Sequence, residues 1–250
     1  AGLDGLTSLR DAVEMHGVWF HRPFLGARRS ELQAQLRQAD VAWIDDPSND
    51  DDVFARVRMR QALETLEDTG GTADAIEGVV SNLRSVRDSL NQLFRVYASQ
   101  MVREENGDLI IAVRDYMGMP PEFRRLFLMQ GVHWVAGGDY PPRMSSLKKL
   151  PEVLPDRLVP FTFGGCLILN FAAIPIDTPS IAQGPADADM RITREHERVA
   201  TLETPLDALW DGRWRIEGPN DEKLSIRALG EAVNQCPDWR DSGIPRQSLL

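Results

Sequence analysis

Cysteine is scarce in this chain. The 250 residues hold two, Cys166 and Cys236, too far apart for any metal-ligand spacing and too few for a disulfide framework. So few thiols make a reducing, cytoplasmic setting the expectation. Long apolar runs are also missing: none approaches the roughly 18 residues of a membrane span, and the longest, such as CLIL at 166–169, are strand-sized. The first residues, AGLDGLTSLRD, lack the basic and apolar regions of a signal peptide and an initiator Met, which suits a chain processed or cut from something longer. Histidines stand alone at 16, 21, 133 and 196 with no HxxxH pairing, so a metal site has little support. There is no GxSxG elbow, and Gly137-Gly138 and Gly164-Gly165 lack the spacing of a phosphate cradle. Cys166, within an apolar strand-like run, reads as a small buried hydrophobe, and His133 as a core or rim residue.

What is present is ordinary globular material: 42% hydrophobic and 26% charged residues, enough for a sizeable core. Net charge is 28 − 38 = −10. That weighs against a nonspecific nucleic-acid binder, whose affinity comes from Lys and Arg neutralising phosphates. An RNA enzyme with local basic patches on an acidic body remains compatible with that charge, so its distribution decides.

Periodicity organises the chain. VWFHRPFL at 18–25 reads as a short strand ended by Pro23. Residues 28–39 suit a helix with Ser30 as N-cap and Leu32 and Leu36 on one face. A second helix is expected from Val53 to about Leu66, stopped by Gly70-Gly71. Ile76, Val79, Leu83, Val86, Leu90, Leu93 and Tyr97 alternate in steps of three and four, with Met101 a turn beyond. This is one apolar face of a helix of about thirty residues, about 45 Å long, with Thr72 as its cap. Arg84, Arg87, Arg95 and Arg103 punctuate it against one acid, Asp88; they read either as its solvated side or as phosphate contacts. A Glu-Asn-Gly-Asp turn at 105–108 precedes a strand, LIIAV, and Pro120-Pro121 open a helix that ends at Gly137-Gly138. RMSSLKKL at 143–150 reads as a short basic helix. Beyond 157, FTFGGCLILNF, DMRITREHERVATLE and LWDGRWRIEGP have the alternation and glycine turns of strands, with a loose connection at 178–189. The expected class is α+β. Its parts are a strand-helix remnant of an α/β nucleotide-binding domain with its linker helix (1–66), a helical domain built on one long helix (67–157) and a small β-rich domain (158–250).

Charge concentrates in residues 22–60, where seven arginines face seven acids. DDPSND is turn chemistry. Arg56 and Arg60 are four apart and share a helix face, while Arg58 points elsewhere. Two guanidiniums near a helix start can clamp a phosphate or carboxylate. They can equally pin the turn by pairing with Asp45, Asp46 or Asp52, and an even charge count favours that second reading.

The stretch HRPFLGARRSELQAQLRQADVAWIDDPSNDDDVFARVRMR resembles the tRNA(Ile)-lysidine synthetase family of N-type ATP pyrophosphatases. The carrying elements are the strand exit Arg22-Pro23, the R-x-E-L helix start Arg29-Ser30-Glu31-Leu32, the W-x-x-D-P-S-N turn from Trp43 to Asn49, and the arginine helix Arg56-Val57-Arg58-Met59-Arg60. Val57 stands where the family has Asn. The opening GLDGL and the later FGGCLI and LWDGRWRI are similar to flanking parts of the family, so the likeness spans nearly the whole chain and is most specific over 21–60. It implies an enzyme that uses ATP, with Mg2+, to join lysine to the wobble cytidine of the isoleucine tRNA with a CAU anticodon.

The family's SGGxDS ATP loop is not in this sequence. The chain is therefore expected to be a C-terminal portion, inactive alone, that supplies tRNA docking and the rim of the active site. By the same resemblance Arg56 and Arg60 are the catalytic candidates, and Arg29, Glu31, Asp46 and Asn49 position substrate. Arg58, Arg84, Arg87, Lys148 and Lys149 contact tRNA. The partners implied are that tRNA, lysine and ATP, with no membrane; a homodimer is left open. The alternative, from another class, is a non-catalytic RNA-binding or scaffold module derived from the synthetase.

Overall fold

The computed structural model describes residues 2–7, 9–15, 17–46, 49, 51–68, 72–138, 140–142, 147, 158–172, 188–218 and 224–236. Chain contacts divide it into two compact units, Ala1–Ser89 and Leu90–Leu250. Helices and strands are mixed throughout, so the class is α+β.

The first unit begins with a short helix α1 (Gly2–Leu6) and a hairpin of β1 (Ala12–Met15) and β2 (Val18–His21). Only β2 of the hairpin lies within an expected strand. Helix α2 (Arg29–Gln38) starts one residue before Ser30. Its cap is Arg28, whose backbone N–H donates to Glu31 Oε2 at 3.0 Å, so an acidic side chain three residues on satisfies the cap residue's own donor, and Ser30 lies inside the helix. Helix α3 (Ala55–Asp68) follows the acidic turn. Helix α4 (Ala73–Met101) is 29 residues long and opens on Thr72, whose Oγ1 accepts from the Ala75 N–H at 3.1 Å.

The second unit holds the main core. Five antiparallel strands lie in the order β3-β4-β7-β6-β5, with β3 at Val102–Glu105, β4 at Asp108–Ala112, β5 at Leu158–Phe163, β6 at Cys166–Ala172 and β7 at Asp189–Arg194. Leu109 pairs with Ile192 across β4 and β7, so strands from both sides of residue 157 build one sheet, and the segments expected to be helical and β-rich share one core. The β3–β4 turn is Asn106-Gly107, both at positive φ, as a two-residue hairpin loop demands. Helix α5 (Val113–Gly118) was not expected; α6 (Pro121–Ala136) runs as expected and stops at Gly137 in the left-handed conformation. Phe127, Leu128, Val132, Cys166, Ile168, Met190 and Ile192 are buried together. Gly131 lets α6 approach the sheet closely, since a Cβ there would stand 3.0 Å from Ile192.

Past β7 the expected strands shorten. REHERV turns into helix α7 (His196–Val199), and β8 (Glu203–Pro205) pairs with β9 (Ser225–Arg227). LWDGRWRIEGP makes a single bridge between Trp210 and Trp214 rather than a strand, because Asp211 and Gly212 both take positive φ and fold the chain back at once. No helix among the described residues is long and apolar enough to cross a membrane. Gly70-Gly71, the basic segment 143–150 apart from Leu147, and the connection 178–187 lie outside the described residues.

Candidate functional site

The charged stretch 22–60 is held largely by its own groups. Arg29 Nη2 meets Asp45 Oδ1 at 3.0 Å, joining α2 to the acidic turn. The turn closes through Asn49 N–H on the Asp46 carbonyl at 2.9 Å and Val53 N–H on Asp51 Oδ1 at 3.0 Å. Arg58 Nη1 donates to the carbonyls of Asp52 and Val53, both at 2.8 Å, so it caps the entry to α3. Arg37 lies over the Trp43 ring, and Arg28 pairs with Asp74 of α4. Internal pairing thus accounts for Arg28, Arg29 and Arg58. The side chains of Arg56 and Arg60 lie outside the described residues. Val57 between them is 2% exposed, which explains why this position accepts an apolar side chain.

One cleft of about 470 Å³ opens in this unit. One wall is the strand exit His21, Arg22, Pro23, Leu25 and Gly26, with Asp11; the other is Glu77, Val80, Ser81 and Arg84 of α4. The second set is spaced i, i+3, i+4 and i+7, hence one helix face. Arg22 is fixed at both ends: its N–H donates to the Asp11 carbonyl at 2.8 Å and its Nη1 to the Arg10 carbonyl at 3.0 Å. His21 stacks on Trp19. Arg84 is half-buried and has no hydrogen-bond or ion-pair partner among the described residues. Burial without a counter-charge is unfavourable for a guanidinium, so Arg84 stands out from the paired arginines around it.

Arg87, one turn along α4, is different. It is 8% exposed, and its Nη1 donates to Thr7 Oγ1 at 2.6 Å while Nε and Nη2 meet Asp88 at 2.9 and 2.8 Å. Arg87, expected to contact tRNA, ties the end of α1 to α4. Sequence periodicity hid this, because an arginine on a helix surface reads as solvated until the segment that covers it is known. His21, Arg22, Glu77 and Ser81 were not among the sequence candidates; the polar stripe 77–81–84 was a usable signal, but its juxtaposition with the strand exit is a tertiary fact.

In the second unit several arginines are internally paired. Arg191 bridges Asp108 at 3.0 Å and Glu105 at 2.9 Å, Arg194 grips Asp211 through two 2.8 Å bonds, and Arg103 meets Asp189 at 2.6 Å. Burial holds the Cys166 thiol far above its usual range, up to about 12. The thiol donates to the Val132 carbonyl at 3.6 Å, which makes it a packing residue. Desolvation lowers the Arg124 and Arg213 pKa values and raises that of Tyr116. Lys148 and Lys149 lie outside the described residues. Among the described residues no group of three His, Cys, Asp or Glu side chains is placed to hold a metal.

Comparison with known proteins first gives a class. Residues 1–66 match the model of the PP-loop domain, a nucleotide-binding α/β domain. The relatives then narrow it. The chain is 35% identical over 251 residues, all of its length and 56% of the relative's, to the tRNA(Ile)-lysidine synthase of Ruegeria pomeroyi. It is 33% identical to that of Hyphomonas neptunium over 62% of this chain and 41% of the relative, and 27% identical to that of Brucella anthropi over 92% and 49%. The chain belongs to the tRNA(Ile)-lysidine synthase family. It spans about half the length of these curated relatives.

Proposed function

We propose that the chain is part of an ATP-dependent ligase that joins lysine to the wobble cytidine of the CAU-anticodon isoleucine tRNA, and that it supplies tRNA docking and the active-site rim. The observation that carries this is the likeness to tRNA(Ile)-lysidine synthase over the chain's whole length. The geometry adds support: the segment matched as a PP-loop domain is braced by Arg29–Asp45 and by Arg58 on main-chain oxygens. That bracing holds the start of α3, which bears Arg56 and Arg60, in a fixed place.

In this reading Arg56 and Arg60 contact the reacting nucleotide and offset negative charge as its leaving group departs, an effect that fixed cations deliver without reorganisation. Arg29, Glu31, Asp46 and Asn49 act through the segment they order: an ion pair, a helix cap and a turn. Arg58, Arg84 and the lysines 148 and 149 meet tRNA phosphates. ATP and Mg2+ belong to the reaction. The sequence has no SGGxDS loop and the described residues present no metal-binding group, so no step through either is assigned to them.

The test is Arg56→Ala and Arg60→Ala in the complete enzyme. Lysidine formation on the isoleucine tRNA should be abolished while the circular dichroism spectrum is retained. Loss of fold in both variants would show that the arginines pin the acidic turn and would refute the assignment.

A further inference from the structure

The cleft between the β2 exit and α4 has a feature that internal pairing leaves unused. Arg22 and Arg84 line it from opposite walls. Arg22 spends one terminal nitrogen on the Arg10 carbonyl, and Arg84 spends none among the described residues. Ser81, one turn before Arg84, adds a hydroxyl to the same wall, and Gly26 leaves the loop side without bulk. A half-buried cation with no ion-pair partner among the described residues is stabilised when an anion replaces its lost hydration. Two guanidiniums lining one cleft suit a tetrahedral oxyanion.

Two acids also line the cleft, Asp11 and Glu77. Glu77 lies two helical turns before Arg84, about 10 Å along the axis. That is too far to neutralise Arg84 and near enough to repel a second anion. Asp11, whose carbonyl accepts from the Arg22 N–H at 2.8 Å, adds negative charge beside the other arginine, so the cleft suits a single phosphate and disfavours a polyanionic free nucleotide.

We infer that this cleft is a notch for one backbone phosphodiester of the bound RNA, held between Arg22 and Arg84. The inference builds on the proposed tRNA substrate and adds the place where its backbone is gripped.

The 250-residue chain is titrated with a transcript of the isoleucine tRNA and with a second tRNA of different anticodon, by fluorescence anisotropy at several salt concentrations. Arg84→Ala should weaken binding to both RNAs about tenfold, the equivalent of one charge-assisted hydrogen bond. It should also lower the log–log salt slope by about 1. Arg84→Lys should restore the slope because the charge returns. Glu77→Gln should tighten binding a few-fold, a gain that unfolding cannot imitate.

Unchanged affinity and slope in Arg84→Ala overturn the inference. So does weaker binding in Glu77→Gln. Binding of inorganic pyrophosphate that depends on Arg84, with RNA affinity unchanged, assigns the cleft to a free phosphate and also overturns it. Equal binding of both tRNAs with the Arg84 loss intact supports the notch while removing isoleucine-tRNA recognition from this chain.

Discussion

Replacing Arg87 by Ala separates an RNA-contacting role from a structural one. In the structure Arg87 is 8% exposed and holds Thr7, itself fully buried, through a 2.6 Å bond. Its contacts to Asp88 involve a carboxylate side chain that is 61% exposed, and such pairs contribute little. The cost of the substitution therefore lies in the Thr7 bond, at about 2 kcal/mol for a charge-assisted hydrogen bond in a buried site. For a unit of this size that corresponds to a fall in Tm of roughly 10 °C. Thr7→Val should cost a similar amount, and a double-mutant cycle should return a coupling of about 1.5 kcal/mol. Urea denaturation gives the energies. Hydrogen exchange at the Thr7 amide, which donates to the Leu3 carbonyl at 3.1 Å, reports locally on the end of α1. The tRNA salt slope should be unchanged under conditions where the variant is folded. A stability change below about 0.5 kcal/mol, together with a salt slope lower by about 1, would refute the reasoning and return Arg87 to the RNA surface.

Three further outcomes follow from the same geometry. Cys166 should resist alkylation at pH 8 in the native chain while the half-buried Cys236 reacts, because burial keeps the Cys166 thiol protonated up to about pH 12; rapid labelling of both would contradict its burial. The sign for stability is set by the raised pKa: the contribution of this thiol is complete below the unfolded value near 9 and is lost as pH climbs from there through about 12. Cys166→Ala should flatten that part of the pH–stability curve. Gly107→Ala should destabilise the second unit by about 1–3 kcal/mol, since Gly107 has φ +79° and a Cβ there would overlap the Trp214 ring; pairing it with Trp214→Ala should recover part of the loss, and an undiminished Tm in the single variant would exclude the close approach.

Elements with a strong local signal were legible in the sequence. The Thr72 cap, the length of α4, the Asn106-Gly107 turn, the Pro-started α6 and the burial of Cys166 all depend on a few neighbouring residues. The side on which α4 packs was less legible. Periodicity selected Ile76, Val79, Val86 and Leu93, yet these are exposed, whereas Arg87 and Phe94 are buried. A helix with apolar residues over a wide arc can be covered on either flank of that arc, and the covering segments decide which. The bend at Asp211-Gly212 was missed for a similar reason. Alternation in LWDGRWRI fits a strand until two adjacent residues take positive φ and Arg194 fixes Asp211 from β7.

The same distinction bears on how charge was read. Counted along the chain, residues 22–60 balance seven against seven, and a balanced stretch suggests that each arginine has an acid nearby. The structure distributes the partners otherwise. Arg28 reaches Asp74 on α4, and Arg58 takes the main-chain oxygens of Asp52 and Val53. Each choice shifts where unpaired charge is left. Arg84 sits in a stretch of helix with little acid, beside a cleft whose other wall comes from the strand exit, and it is there that a half-buried cation has no partner among the described residues. A window of sequence can total its charges but cannot assign them, because ion pairs form across elements whose approach is set by packing. Within this unit, an anion-binding role is therefore better sought where assignment leaves a cation unpaired than where cations are most numerous.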